Sequence, residues 1–142
     1  MKVAIVGSRN IDNLELLEFV WNKIGFDYSF TIISGGAKGV DTNARQLAEK
    51  YQMDIIEYLP DWNKYGKSAG FRRNKTIIKE CDVCIAIWDG KSHGTKHDID
   101  LCKEYDKNCF VYNNKDKSLK AYVNEYSKTQ KIISIIPKEL DL

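Results

Sequence analysis

The stretch SGGAKGVDTNA, Ser34 to Ala44, places two adjacent glycines, a lysine, a third glycine and an aspartate between an apolar run and a helical pattern. Glycine lets the backbone turn sharply and lets a ligand approach the amides. The start of the following helix offers unpaired N–H groups and positive dipole density, which suit phosphate. The spacing fits neither common phosphate loop. Gly39-Val40 follows Lys38 where a P-loop has Lys-Ser/Thr, and the Gly-x-Gly-x-x-Gly order of a dinucleotide fold is missing. The bland alternative is a strand-to-helix turn with Asp41 as its N-cap.

Two more segments share this character: GSRN after the first apolar run and WDGKSHGT after the fourth. Together they nominate Gly7, Ser8 and Arg9; Ser34, Gly35, Gly36, Lys38 and Gly39; and Asp89, Gly90, Ser92, Gly94 and Thr95 as ligand-binding residues. Arg9 and Lys38 bring positive charge, and the hydroxyls bring donors. Asp41 beside a phosphate would repel it, so capping the helix or meeting a sugar hydroxyl is its expected task. Asp89 faces the same objection, and turn formation is its alternative.

Continuous apolar runs alternate with amphipathic segments. Val3–Val6, Phe30–Ile33, Met53–Leu59, Val83–Trp88 and Cys109–Tyr112 read as strands. Helical stripes run through Leu14, Leu17, Trp21 and Ile24; through Val40, Ala44, Leu47 and Ala48; through Ile77 and Ile78; and through Thr95, Ile99, Cys102 and Tyr105. Such alternation predicts an α/β domain with a doubly wound, mainly parallel sheet of five core strands and helices on both faces. If the first strand is central, the order reverses between strands one and four, where ligands of such sheets bind. The three small-residue loops then converge on one crevice. Residues 113–142 are less legible: NNKDKS is a turn signal, Leu119 to Tyr126 reads as weakly helical, and KIISII as an edge strand or partner contact. The 142 residues are expected to form one domain with its core in about 1–112.

With 22 basic and 20 acidic residues, the charge is nearly balanced, which argues against a general nucleic-acid coat. No apolar stretch suits a bilayer or a secretion signal, so a cytoplasmic location is expected. Cys81 and Cys84 have C-x-x-C spacing, but no second pair completes a zinc site, and a strand would point them to opposite faces. All four cysteines therefore read as reduced core thiols. His93 and His97, at i and i+4, lack a third ligand and read as surface residues. No metal site and no cofactor are expected.

GSR, ISGGAKGVDTNA, PDWNKYGKSAGFRRN and CDVCIAIWDGKSHGT, in that order between Val3 and about Tyr112, resemble the SLOG superfamily, and within it the small YspA/YpsA-related proteins. The resemblance implies a Rossmann-like sheet that binds nucleotides or nucleotide-derived ligands, often as a homodimer or higher homo-oligomer. Two groups of relatives point to different functions. Lonely Guy phosphoribohydrolases cleave base from ribose 5′-monophosphate, using an arginine ahead of the fourth strand and P-G-G-x-G-T-x-x-E beyond it. Arg73 stands nine residues before Asp82, matching that arginine, and Gly94-Thr95-Lys96-His97-Asp98 matches G-T-x-x-E with aspartate for glutamate. DGKSHGT departs from the P-G-G-x-G-T run.

That resemblance makes Asp98 and Arg73 the catalytic candidates. N-glycosidic hydrolysis needs a carboxylate to stabilise an oxocarbenium-like sugar and a cation to hold phosphate. The bland alternative for Asp98 is an exposed first-turn carboxylate. Trp62, Arg73 and Asn74 join the expected ligand-binding set. The second relative, DNA-processing protein A, binds single-stranded DNA. Lys64, Lys67, Arg72, Arg73, Lys75 and Lys79 lie near Trp62, Tyr65 and Phe71, a mixture that suits single strands. Three functions follow as expectations: a nucleotide sensor or sequestering protein, an N-glycosidic hydrolase, and a single-strand nucleic-acid binder.

Overall fold

Strand β1 (Lys2–Gly7) lies in the middle of the sheet because its side chains are apolar on both faces. Val3 and Ile5 enter one core, Ala4 and Val6 the other. The structure, a computed structural model, describes residues 1–125 and 129–135. β2 (Thr31–Ser34), β3 (Ile55–Glu57), β4 (Val83–Trp88) and β5 (Asn108–Asn113) join β1 in parallel pairing, in the order β3-β2-β1-β4-β5. This is the doubly wound, Rossmann-like α/β sheet expected from the sequence, with its order reversing between β1 and β4.

Helices α1 (Leu14–Ile24) and α2 (Val40–Lys50) cover one face, where Leu17, Val20, Trp21, Ala44 and Leu47 are buried. Trp21 is completely buried and has ring contacts with Phe26, Tyr28 and Phe30, apolar packing that outweighs leaving its indole N–H without a hydrogen-bond partner among the described residues. α1 starts at Asn13, whose side chain accepts from the Leu16 N–H, and stops at Gly25 in the left-handed region. On the other face lie α4 (Ala69–Glu80) and α5 (His93–Glu104), burying Ile77, Ile78, Ile99, Leu101 and Cys102. A short α3 (Trp62–Tyr65), capped by Asp61, and a 3-10 turn at Gly66–Ser68 lead into α4.

The segment after β5 corrects the weak helix expected at Leu119 to Tyr126. β6 (Ser118–Glu125) instead pairs antiparallel with β5 across the NNKDKS turn. Leu119 and Ala121 are buried while Lys120 between them is exposed, so the period is two rather than 3.6. β7 (Thr129–Ile135) pairs antiparallel with β6 and ends the sheet, placing most of KIISII on its edge.

The cysteine geometry also differs from expectation. Cys81 caps the end of α4 ahead of the strand, so Cys81 and Cys84 share one core instead of facing apart. Among the described residues, no helix is long and apolar enough to cross a membrane.

Candidate functional site

The loops leaving β1, β2 and β4 meet where the sheet order reverses, and a crevice of about 480 Å³ opens between them and α4. Close backbone approach builds it. A Cβ on Gly39 would lie 2.5 Å from the carbonyl oxygens of Ser8 and Arg9, and Gly39 has a φ of +73°. A Cβ on Gly7 would lie 2.6 Å from the Ile87 oxygen and against Val40. The glycines therefore let the first and second loops cross in contact.

Hydroxyls lock the first loop to the third. The Ser8 hydroxyl donates to Ser92 Oγ at 3.2 Å and accepts from the Asp89 N–H at 3.0 Å. Ser92 Oγ in turn donates to Thr95 Oγ1 at 2.9 Å. Asp89 Oδ1 accepts from the backbones of Lys91 at 2.8 Å and Ser92 at 2.7 Å, which makes it a turn former. Its slight burial disfavours the ionised form and pushes the pKa upward, but the N–H groups of Ser92 and Lys91 prevail and hold it below its ordinary value.

Asp41 is not the N-cap of α2. Gly39 holds that position, and Asp41 sits in the first turn with Oδ2 accepting from the Ala37 N–H at 3.0 Å. Burial pushes its carboxyl above the usual range, opposed by that N–H and by the charge of Arg73. Nor is Asp98 an exposed first-turn carboxylate. It is buried in the second turn of α5, its Oδ1 has no hydrogen-bond partner, and burial, with Cys102 and Asp41 nearby, pushes it well above the carboxylate range.

Arg73 reaches across from α4. Its Nη1 donates to the carbonyl of Gly35 at 2.6 Å and of Tyr58 at 3.4 Å, and its Nε to Asn74 Oδ1 at 2.9 Å. Much of its donor fork is therefore used to hold the second loop.

Of the residues nominated from sequence, Gly7, Arg9, Gly35, Asp41, Trp62, Arg73, Asn74, Asp89, Ser92, Gly94, Thr95 and Asp98 line the crevice. Ser8, Ser34, Gly36, Lys38, Gly39 and Gly90 do not. Ser8, Ser34 and Gly39 are buried behind it, Gly36 turns toward Leu59 and Glu57, and Gly90 lies against the Asn113 side chain. Lys38 is exposed.

The lining also includes Asn10, Ala37, Lys67, Gly70, Phe71 and Ile77. Gly70 and Ile77 fall at helical spacing with the nominated Asn74 on one side of α4, a signal that could have found them in the sequence. Phe71 packs edge-on against His97 with centroids 4.7 Å apart, so His97 is half-buried rather than a free surface histidine.

Fold and site together define a doubly wound α/β protein with a three-loop crevice at its switch point. Residues 1–65 match the YAcAr family, the YspA, cpYpsA-related SLOG family. The chain is 34% identical over 107 residues to Gene 61 protein of Mycobacterium phage D29, an alignment covering 68% of this chain and 83% of that protein. It also resembles the solved structure of DNA processing protein A from Helicobacter pylori, which was determined for its single-stranded DNA binding mode. That match has a TM-score of 0.58 and 27% identity, and covers 78% of this chain but only 64% of the other. This chain belongs to the YspA, cpYpsA-related SLOG family.

Proposed function

We propose that the crevice binds a nucleotide or nucleotide-derived ligand and that the protein acts as a sensor or sequestering protein for it. The observation that carries this reading is the convergence of three glycine- and hydroxyl-bearing loops on a single crevice at the switch point. About 480 Å³ is in the range of small-ligand sites. Arg9 and Lys67 at the lining are the cations for phosphate, and the exposed rings of Trp62 and Phe71 offer stacking surface for a base. Asp41 and Asp98, favoured in their neutral forms by burial, lower the repulsion that two carboxylates would exert on an anion.

Denaturing the purified protein and identifying released small molecules by mass spectrometry tests the proposal, together with calorimetric titration of nucleoside monophosphates and ADP-ribose. Saturable one-to-one binding is the expected result. Absence of binding across the panel would overturn it. Release of free base during incubation would turn the reading toward the hydrolase, with Asp98 as the group to replace first.

A second reading, single-stranded nucleic-acid binding, is favoured by the likeness to DNA processing protein A and by a basic and aromatic surface on α3 and α4, where Tyr65 and Arg72 line a second hollow. Arg72 lies 4.4 Å and Lys64 5.1 Å from the centroid of the Tyr65 ring, beside Trp62 and Phe71. This reading predicts oligonucleotide binding that weakens steeply as salt rises. An oligonucleotide that fails to bind at low salt would remove it.

A further inference from the structure

All four cysteines pack in the core beneath α4 and α5, and three of them converge. Cys84 on β4 stands in register with Cys109 on the neighbouring β5, and Cys102 reaches them from α5. Their sulfur atoms all lie within 4.8 Å of one another, the residues are 0–1% exposed, and the thiols are free. The fourth, Cys81, falls outside this trio, although near enough for charge to be felt between it and Cys102 and Cys109, and it donates its S–H to the carbonyl of Ile78 at 3.2 Å. Strand register and helix packing bring together residues whose sequence spacing carries no metal signature.

The donor set is sulfur alone, and softness of ligand selects the ion. Zinc in a structural site takes four donors, and this buried trio offers three. Three enclosed sulfurs suit a thiophilic monovalent ion that is content with three ligands. We propose that Cys84, Cys102 and Cys109 form a three-coordinate site for monovalent copper.

Binding breaks three S–H bonds and forms three Cu–S bonds. Three protons leave, and the centre carries a net charge of minus two, with no change of oxidation state. A buried charge needs a counter-charge nearby. The Lys107 ammonium supplies one, held at the edge of the cluster by the carbonyls of Cys81 at 2.8 Å and Lys79 at 3.3 Å. Cys102 lies one helical turn beyond Asp98, so the trio sits below the crevice floor, and copper enters as the chain folds.

The test uses the full chain, reduced and free of oxygen, refolded with monovalent copper and then challenged with a chromophoric copper chelator. One copper retained per chain, an all-sulfur shell by X-ray absorption and proton release on loading are the expected results. Cys84→Ser, Cys102→Ser and Cys109→Ser each lose retention by at least about tenfold, while Cys81→Ser keeps it. Alkylation of the unsubstituted protein in mild denaturant gives a readout that does not depend on a variant folding. Copper is expected to protect Cys84, Cys102 and Cys109 together and leave Cys81 reactive. Complete loss of copper to the chelator, an oxygen- or nitrogen-containing shell, or retention unchanged in Cys102→Ser would overturn the site.

Discussion

Arg73 donates through Nη1 to the carbonyl oxygen of Gly35 at 2.6 Å, tying α4 to the loop after β2. A Cβ on Gly35 would fall 2.6 Å from that same nitrogen, so glycine is what lets the guanidinium approach. Arg73→Ala is expected to lower stability by about 1–3 kcal/mol, the usual worth of hydrogen bonds from a charged donor, and to loosen one crevice wall. Arg73→Lys restores the charge without the planar fork and recovers only part of the loss. Thermal denaturation at neutral pH, run beside nucleotide titration, measures both effects. Stability equal to the parent in Arg73→Ala would show these bonds to be idle.

The crossing of the first two loops at Gly39 makes a sharper structural prediction. An added Cβ there meets two backbone oxygens at 2.5 Å, and the φ of +73° already disfavours a side chain. Backbone cannot swing aside as a flexible side chain can. Gly39→Ala should cost at least about 2 kcal/mol. Gly25→Ala is the control, because Gly25 shares a positive φ of +88° but has nothing within 4 Å of an added Cβ. Its cost is expected near about 1 kcal/mol, conformational preference alone. Urea denaturation of both variants checks the order, and equal losses would mean that the contact at Gly39 relaxes freely.

Much of this architecture could be read from the sequence because buried parallel strands are apolar at every position, as VAIV and VCIAIW show. The three loops were visible through glycine, whose placement reports backbone constraint directly. Less visible was what each loop residue does. Ser8 and Ser92 carry the hydroxyls expected of ligand donors, yet they bond to each other, a pairing 84 positions apart that local pattern cannot express. Lys38 looked like a phosphate cation and lies exposed outside the crevice, whereas Lys67 lines it. The helical reading of Leu119 to Tyr126 failed because a two-residue alternation over LKA is too short to outweigh the helix-compatible residues around it.

Asp98 gives the fold a pH dependence whose sign is fixed by its burial. Its carboxyl titrates well above the ordinary range in the folded protein and near about 3.9 in the unfolded chain. Between those two points the folded state holds a proton that the unfolded state has released, so stability falls as pH rises through the window. Asp98→Asn keeps the shape and removes the ionisation. It should raise the melting temperature at neutral pH by roughly 2–4 °C for each kcal/mol regained, with the gain shrinking as pH falls toward about 4. Asp41 shifts in the same direction and leaves a residual slope in the variant. Melting curves from acid to neutral pH measure this, and parallel curves for parent and variant would show Asp98 to be ionised in the folded protein.

Trp62 offers the cleanest separation of binding from folding. It is 54% exposed, its ring lies over Gly70 with the nearest atom 3.7 Å from where a Cβ would stand, and it lines the crevice. Phe71, 56% exposed, lies on the same rim and is steadied by His97. Little core packing depends on Trp62, so Trp62→Ala should change stability by no more than about 0.5 kcal/mol. If a base stacks there, the same substitution weakens ligand binding by about 1–3 kcal/mol, and Trp62→Phe restores part of it because the stacking face survives. Calorimetry of both variants with a nucleotide that binds the parent separates the cases. Affinity undiminished in Trp62→Ala would move the base away from this rim and leave the ring to the nucleic-acid reading, in which salt-dependent oligonucleotide binding would fall instead.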